Sequence, residues 1–372
     1  MKSLKEYMTE GLLDRVKNKE VDHSAVVKEF LETNYKFRRS YSVKEINNKL
    51  VVDVKGDIWV KNKDITLLTN RLFEFGTVSG DFKCDGCKSL RTLEGAPKEV
   101  GGDFNCSYCK SLTSLEGAPE KVSGDFNCSE CKSLTSLEGA PKEIGGSFYC
   151  GWTGLLKTLE GAPEKVGIDF ICNKCKSLET LEGAPKEVGR DFYCKICKSL
   201  NTLEGAPQKV GGSFNCCECE SLRTLKGAPK EVGRDFYCGW NDLLKTLEGA
   251  PKKVWGVFNC SSCNSLKSLE GAPEKVYDSF CCYKCDSLKT LEGAPKEVGE
   301  MFWCTDCISL ISLKGAPEKV GERFWCDGCK SLMTLEGAPK EVGGWFSCKK
   351  CSVQFTEDDV KKHTNVAGGI YT

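Results

Sequence analysis

A period of 22 residues constrains the fold of this chain more than any other feature. All twelve prolines, from Pro97 to Pro339, follow one another at that spacing. At the same step, Phe fills thirteen positions from Phe82 to Phe346, and Cys fills the thirteen from Cys84 to Cys348. Each unit reads F-x-C-x-x-C-x-x-L-x-x-L-x-G-A-P-x-x-V. A fixed period of this length indicates stacked structural repeats.

The spacing within one unit predicts how it folds. Phe104 and Cys106 are two residues apart, so they point to the same side of an extended strand. Two leucines and a valine continue this apolar set, which one unit cannot bury alone but stacked units can. Gly117 and Pro119 mark the turn that brings the chain back. Thirteen coils stacked at roughly 4.8 Å give a rod or arc about 60 Å long.

At this point the residues carry a resemblance to a known family. The stretch "VSGDFNCSECKSL" resembles the leucine-rich repeat consensus, with Phe126 and Cys128 at strand leucine positions and Cys131 at the Asn/Cys position. The return "SLTSLEGAP" is similar to short repeats of bacterial leucine-rich effectors and BspA-like surface proteins. Residues 56–351 resemble uncharacterised leucine-rich repeat proteins of large tailed bacteriophages. The resemblance implies the fold, a stacked solenoid with a parallel sheet, and does not by itself imply a function.

The ends of the chain depart from the repeat and are predicted to cap it. Residues 1–55 are expected to form an N-terminal cap, with helices at about 2–17 and 24–35 and a hairpin of strands 41–46 and 49–55. Residues 56–80 read as a degenerate capping repeat, in which Ile58 and Val60 replace Phe and Cys.

The repeats proper span residues 81–351, and residues 352–372 are expected to form a C-terminal cap. Thr356 precedes acidic residues, which predicts a capped helix. Val366, Ile370 and Thr372 repeat the spacing of a final strand. The predicted fold is therefore an α/β solenoid, mostly β, with about thirteen coils and one parallel β-sheet between two small caps.

The cysteines admit three interpretations. Eleven coils carry C-x-x-C, and eighteen residues separate consecutive pairs, which fits zinc-ribbon spacing and makes a multi-zinc protein one alternative. Disulfides between stacked cysteines are another. We favour buried structural thiols, because the first cysteine of each pair, as in Cys106 and Cys128, falls on the inward strand position.

The second cysteine of each pair, as in Cys109 and Cys131, is replaced by Thr153 in one coil and by Asn241 in another. Neither replacement supplies a thiolate to zinc, but both can hydrogen-bond the backbone of a neighbouring turn. We therefore expect this column to act as a ladder between coils and predict no bound metal or other cofactor.

Charged pairs follow each proline and alternate in sign. Lys98-Glu99 is followed by Glu120-Lys121 in the next coil, and the pattern continues. Each exposed ion pair between coils is worth about 0.2 to 1 kcal/mol, so the alternation favours correct stacking register.

Side chains that point outward from the strands are left to carry function. The C-terminal coils place five large side chains there, and these define the aromatic patch: Tyr283, Met301, Trp303, Trp325 and Trp345. We expect this patch to bind a protein, because exposed aromatics supply much of the energy of interfaces. Tyr149, Tyr193 and Tyr237 form a weaker candidate site. Stacking that merely stabilises the sheet is the competing explanation.

An acidic column lies on the same face in the first half of the chain: Asp81, Asp103, Asp125, Asp169, Asp191 and Asp235. One carboxylate per coil rarely supplies the six or more oxygens that calcium needs. We expect these aspartates to be solvated or bonded to the backbone.

Composition excludes several classes of function. The chain has 372 residues with 53 basic and 53 acidic side chains, which argues against a nucleic-acid or anionic-membrane surface. No apolar run approaches a membrane span or signal-peptide core, so a cytoplasmic protein is expected. The two histidines, His23 and His363, lie outside the repeats, and no phosphate-binding loop occurs, so we predict that the chain is not an enzyme.

The N-terminal "MKSLKEYMTEG" resembles the capsid-targeting leaders of internal head proteins in T-even-like phages. In those leaders a protease cuts after a Glu that lies two residues beyond an apolar side chain, and Met8, Glu10 and Gly11 fit that pattern. A helix that packs its apolar side on the cap is the alternative. The main prediction is a non-enzymatic scaffold that binds a protein, in the host cytoplasm or in a virion. The sequence sets no oligomeric state.

Overall fold

The computed structural model describes residues 23–70 and 72–372, which wind into a continuous solenoid. Its front sheet has sixteen strands, parallel except for the first, Tyr35–Phe37, which pairs antiparallel with Ile58–Val60. Phe104 pairs with Phe126 and Phe126 with Phe148, so equivalent residues of successive coils stand side by side. The other front strands are Phe82–Lys83, Phe104–Asn105, Phe126–Asn127, Phe148–Tyr149, Phe170–Ile171, Phe192–Tyr193, Phe214–Asn215, Phe236–Tyr237, Phe258–Asn259, Phe280–Cys281, Met301–Trp303, Arg323–Trp325, Trp345–Ser347 and Ile370–Tyr371. The predicted mostly-β solenoid is confirmed.

A second column of short strands adds side sheets to the one parallel sheet expected. Ten strands form the first side sheet: Tyr41–Ile46, Lys49–Val54, Phe73–Val78, Glu99–Val100, Lys121–Val122, Glu143–Ile144, Lys165–Val166, Glu187–Val188, Lys209–Val210 and Glu231–Val232. Six form the second: Lys253–Val254, Lys275–Val276, Glu297–Val298, Lys319–Val320, Glu341–Val342 and Asn365–Val366. The Val or Ile of each strand points inward, and its charged neighbour faces solvent. Two-residue strands are too short to show the alternation of apolar and polar residues that indicates a strand in a sequence.

The interior is a set of parallel columns of identical side chains. Neighbouring Phe rings lie 5.1 to 5.5 Å apart between centroids, in an unbroken stack from Phe82 to Phe346. The first cysteines and the leucines form further columns with almost no exposed surface. Burying a Phe side chain stabilises the fold by about 1.5 to 3 kcal/mol. Each coil therefore gains its apolar stabilisation from the coils on either side.

Two backbone positions in each coil require left-handed geometry. Gly117 has φ of 85°, and a Cβ there would lie 2.5 Å from the backbone nitrogen of Glu94 in the preceding coil. Glycine is thus required both by its torsion angle and by the close approach of the coils. The residue before the second cysteine is also left-handed, as in Glu130 with φ of 58°.

The caps form largely as expected. A helix spans His23–Asn34, and the hairpin strands Tyr41–Ile46 and Lys49–Val54 turn at Asn47 and Asn48, which both have positive φ. The helix Glu357–Lys361 begins with a capping box, in which the Thr356 hydroxyl accepts the N–H of Asp359. The predicted helix at 2–17 lies outside the described residues.

Ion pairs connect successive coils through the alternating charges. Lys142 lies 3.7 Å from Glu164, and Lys319 lies 3.3 Å from Glu341, each pair joining side chains 22 residues apart. The predicted pairing between coils is confirmed at these positions. The pattern breaks where Lys253 stands beside Lys275, next to the gap between the two side sheets.

Candidate binding surface

The aromatic patch is formed by outward-facing residues of three successive front strands and by Tyr283, which lies in the turn after strand Phe280–Cys281. Tyr283 and Trp303 have ring centroids 5.1 Å apart, and Trp303 meets Trp325 at 5.4 Å with an interplanar angle of 88°. The rings shield one another, so Trp303 and Trp325 are half-buried while Trp345 remains exposed. The structure therefore places Tyr283, Trp303 and Trp325 in one row of ring contacts.

Arg323 joins the last tryptophan to the others. Its guanidinium lies 4.7 Å from the ring centroid of Trp345 and 5.5 Å from that of Trp325. The sequence suggests four aromatic rings side by side, but a cation is inserted between two of them. Cations bind the negative faces of indole rings, so this arrangement is favourable.

Two aromatic residues that the sequence analysis missed extend the patch at either end. The ring of Trp240 meets that of Tyr283 at 6.3 Å, and the ring of Tyr371 meets that of Trp345 at 6.1 Å. Tyr371 directly follows Ile370 in the final strand, as Trp303 and Trp325 follow their Phe residues, so alignment of the strands could have predicted its position. Trp240 lies in the turn after a strand and has a positive φ, which gave no comparable signal.

A shallow groove of about 510 Å³ runs over the C-terminal part of the patch. Its walls combine aromatic rings with charged and polar groups: Trp303, Thr305, Asp306, Trp325, Asp327, Gly328, Trp345, Ser347, Lys349, Lys350 and Tyr371. The indole N–H of Trp303 donates to the Thr305 hydroxyl at 2.7 Å, which fixes that ring. Lys349 lies over Tyr371, with its Nζ 4.5 Å from the ring centroid. A groove of this composition suits a macromolecular segment with both apolar and charged groups.

The weaker candidate site does not form a continuous aromatic surface. Tyr149, Tyr193 and Tyr237 occupy alternate coils, and Ile171 and Asn215 stand between them in the sheet. The Tyr193 hydroxyl donates to an aspartate oxygen at 2.9 Å. Burial, followed by this carboxylate, raises the pKa of Tyr193 to about 12. Tyr193 therefore serves a local hydrogen bond, and the three tyrosines do not form one shared surface.

The acidic column bonds to the backbone from coil to coil. Asp81 accepts the N–H of Asp103, which in turn accepts the N–H of Asp125, each at 2.9 Å. Asp169 also accepts the guanidinium of Arg190, from Nε at 2.8 Å. The expectation of backbone-bonded aspartates is confirmed. Each carboxylate has one oxygen committed to the next coil, so the column is a structural ladder.

The cysteines also form a ladder, and it stands behind the front strands. Ten second cysteines donate Sγ–H to the carbonyl oxygen of the first cysteine in the preceding coil, at 3.1 to 3.4 Å, as Cys109 does to Cys84 and Cys131 does to Cys106. The first cysteines are buried, and desolvation raises the pKa of thiols such as Cys128 well above its ordinary value. Protonated thiols suit a packed apolar interior.

The two replacements behave differently from each other. Asn241 donates to the carbonyl of Cys216 in the preceding coil at 3.1 Å and accepts the N–H of Cys219 at 2.8 Å. Its predicted ladder role is confirmed. Thr153 donates to the carbonyl of Cys150 in its own coil, and its hydroxyl also lies 3.1 Å from the Sγ of Cys175 in the next coil. It therefore joins the ladder through a side chain, whereas the expected bond to the backbone of a neighbouring turn is not formed.

The remaining candidate features concern metal binding, membrane spanning and N-terminal processing. Among residues 23–70 and 72–372, no group of His, Cys, Asp or Glu side chains is arranged to hold a metal ion. Over the same ranges, none of the helices has the length and apolar character needed to span a bilayer. Glu10 and Gly11 lie outside the described residues, so processing at that point stays a prediction.

No family model and no curated protein matches this chain. Among solved structures, the chain is similar to the crystal structure of a leucine-rich repeat protein from Bacteroides ovatus ATCC 8483. The TM-score is 0.48 and the sequence identity is 17%, over 83% of this chain and 92% of that chain. The solenoid architecture is established by the strand pairing described above, independently of this likeness.

Proposed function

We propose that this chain is a non-enzymatic repeat scaffold that binds another protein through the aromatic patch. The observation that carries the proposal is the row of aromatic side chains from Trp240 to Tyr371 on the outward face, in which Arg323 bridges the rings of Trp325 and Trp345. Trp345 and Tyr371 each keep 41% of their surface exposed. Contiguous exposed aromatic surface is costly in water and marks interaction sites.

The setting of the patch supports this role. Its side chains stand on strands whose Phe residues are locked in the interior stack, so the backbone beneath them is rigid. Rigid aromatic side chains lose little conformational entropy on binding and are enriched among residues that dominate interface energy. Sheet stabilisation alone would not require the outermost rings to remain exposed.

The experiment selects binding peptides from a random-peptide display library with the full chain as bait. Selected peptides are then measured against the double variant Trp303→Ser/Trp325→Ser. We expect at least about a tenfold loss of affinity, because residues of this kind contribute about 2 kcal/mol or more when they are buried at an interface. Thermal unfolding of the variant checks that the coils remain folded.

A matched control removes an indole from a different surface. Trp255 is 58% exposed and stacks on Tyr277 with centroids 4.3 Å apart, between the side and front strands. Trp255→Ser is expected to leave peptide affinity unchanged. Equal binding by the wild-type chain and the Trp303/Trp325 double variant would show that the patch is not the binding surface.

A further inference from the structure

The partner's chemistry can be inferred from the charges beside the aromatic patch. Asp278, Glu300 and Glu322 occupy equivalent positions in three successive coils and form what we call the acidic edge. The N–H of Glu300 donates to the carbonyl of Asp278, and the N–H of Glu322 donates to that of Glu300, both at 2.8 Å. Glu300 and Glu322 directly precede Met301 and Arg323 in the chain. The carboxylates therefore stand along the border of the patch.

The carboxylates of the acidic edge lack the ion pairs with basic side chains that occur elsewhere in the described part of the solenoid. In the same column of an earlier coil, Arg190 pairs with Asp169. None of the three carboxylates of the acidic edge has an ion-pair partner in the part of the chain that the structure describes. The charge of Asp278 raises the pKa of the exposed Glu300 carboxyl, with smaller contributions from desolvation, from Glu322 and from a hydrogen bond with Asp278. Three like charges are thus held beside one another without a cation.

The aromatic patch itself already holds cationic groups. Arg323 lies over the rings of Trp345 and Trp325 rather than against the neighbouring carboxylates. Lys349 lies over Tyr371 in the same way. The ring faces of this surface therefore accept guanidinium and ammonium groups, and the acidic edge remains available to a further cation.

Resting on the proposed function, we infer that the aromatic patch and the acidic edge together bind a basic peptide segment with arginine side chains. The guanidinium groups pair with Glu300 and Glu322, and the apolar stems of the same side chains lie on Met301 and Trp303. Arginine suits this surface better than lysine, because its planar group both pairs with carboxylates and stacks on rings. A proline-rich or acidic segment would gain nothing from the acidic edge.

The test measures fluorescence anisotropy of four labelled peptides with the full chain: oligo-arginine, oligo-lysine, oligo-glutamate and oligo-proline. We expect oligo-arginine to bind most tightly, and we expect its affinity to fall as salt is raised. The double variant Glu300→Gln/Glu322→Gln should weaken oligo-arginine binding by about three- to tenfold, as the loss of two partly exposed charge pairs implies. Trp303→Ser/Trp325→Ser should weaken it by at least about tenfold.

A matched control is Glu143→Gln/Glu187→Gln, which removes two exposed carboxylates from a side sheet and should leave binding unchanged. Equal loss in this control would overturn the inference, because basic peptides would then be binding any acidic surface. Tryptophan-dependent binding of oligo-proline in preference to oligo-arginine would overturn the basic partner but leave the aromatic surface standing. Oligo-arginine binding that ignores both the glutamate and tryptophan variants would overturn the inference and would count against the proposed function.

Discussion

The buried first cysteines predict a steep loss of stability in mild alkali. Burial raises the pKa of twelve of these thiols, from Cys84 to Cys326, well above the ordinary value. In the unfolded chain the same thiols titrate near pH 8.5, the ordinary value for cysteine. Stability is therefore complete below that pH and falls above it, because the unfolded chain releases protons that the folded chain retains.

The magnitude follows from the number of thiols. One such thiol lowers the free energy of unfolding by about 0.2 kcal/mol at pH 8, about 0.8 kcal/mol at pH 9 and about 1.4 kcal/mol at pH 9.5. Twelve thiols together give about 2, 10 and 17 kcal/mol at these pH values. Folded proteins are commonly stable by only about 5 to 15 kcal/mol. The solenoid is therefore expected to unfold between about pH 8.5 and pH 9.4.

The assay follows circular dichroism and the ultraviolet absorbance of thiolate in one pH titration, with a phosphine reductant present. Both signals are expected to change together, over less than about one pH unit. Replacing Cys150, Cys172, Cys194 and Cys216 by Ala should reduce the number of protons released on unfolding by about four per chain, because each of these thiols releases one. Thiolate absorbance that rises while the circular dichroism stays constant would refute the reasoning, as would a folded chain at about pH 11.

Three further predictions concern single positions and metal content. Gly117→Ala should lower the free energy of unfolding in denaturant by about 3 kcal/mol or more, because the added Cβ meets the preceding coil. Gly86→Ala should lower it by about 1 kcal/mol, because a Cβ at Gly86 meets nothing within 4 Å. Equal losses for the two variants would contradict the close approach of the coils at Gly117. Asn241→Ala should cost about 2 to 4 kcal/mol by leaving buried backbone groups unpaired, and Asn241→Cys should recover part of it; no loss in Ala would contradict the ladder. Elemental analysis of protein purified without chelator should find less than about 0.1 zinc per chain, and several equivalents would contradict the thiol interior.

The repeat made most of the fold predictable, since each coil buries the same columns. Phe104 and Cys106 are inward because two-residue spacing places them on one side of a strand, and both are fully buried. The side sheets were not predictable, because strands such as Lys121–Val122 are too short to carry a pattern. The contact of Trp240 with Tyr283 was also hidden, since it joins residues two coils apart through a left-handed turn.

The binding surface was predictable in position but not in chemistry. Trp303 and Trp325 meet because register places equivalent residues side by side. The position of Arg323 depends on a rotamer choice between nearby carboxylates and indoles, which the order of residues does not specify. The acidic edge is visible in the sequence only after the register of Glu300 and Glu322 is known.

Because every coil contacts its neighbours through the same residues, the molecule can be shortened or lengthened in steps of one whole coil. Excising residues 170–191 would bring Phe192 against Phe148, restoring the contact that Phe170 made with each of them. Such a deletion would move the acidic column about 4.8 Å closer to the tryptophans; it would leave the aromatic patch unaltered and remove Asp191 from the acidic column. Recombination that adds or removes whole coils could therefore change the distance between the two surfaces without changing how the interior packs.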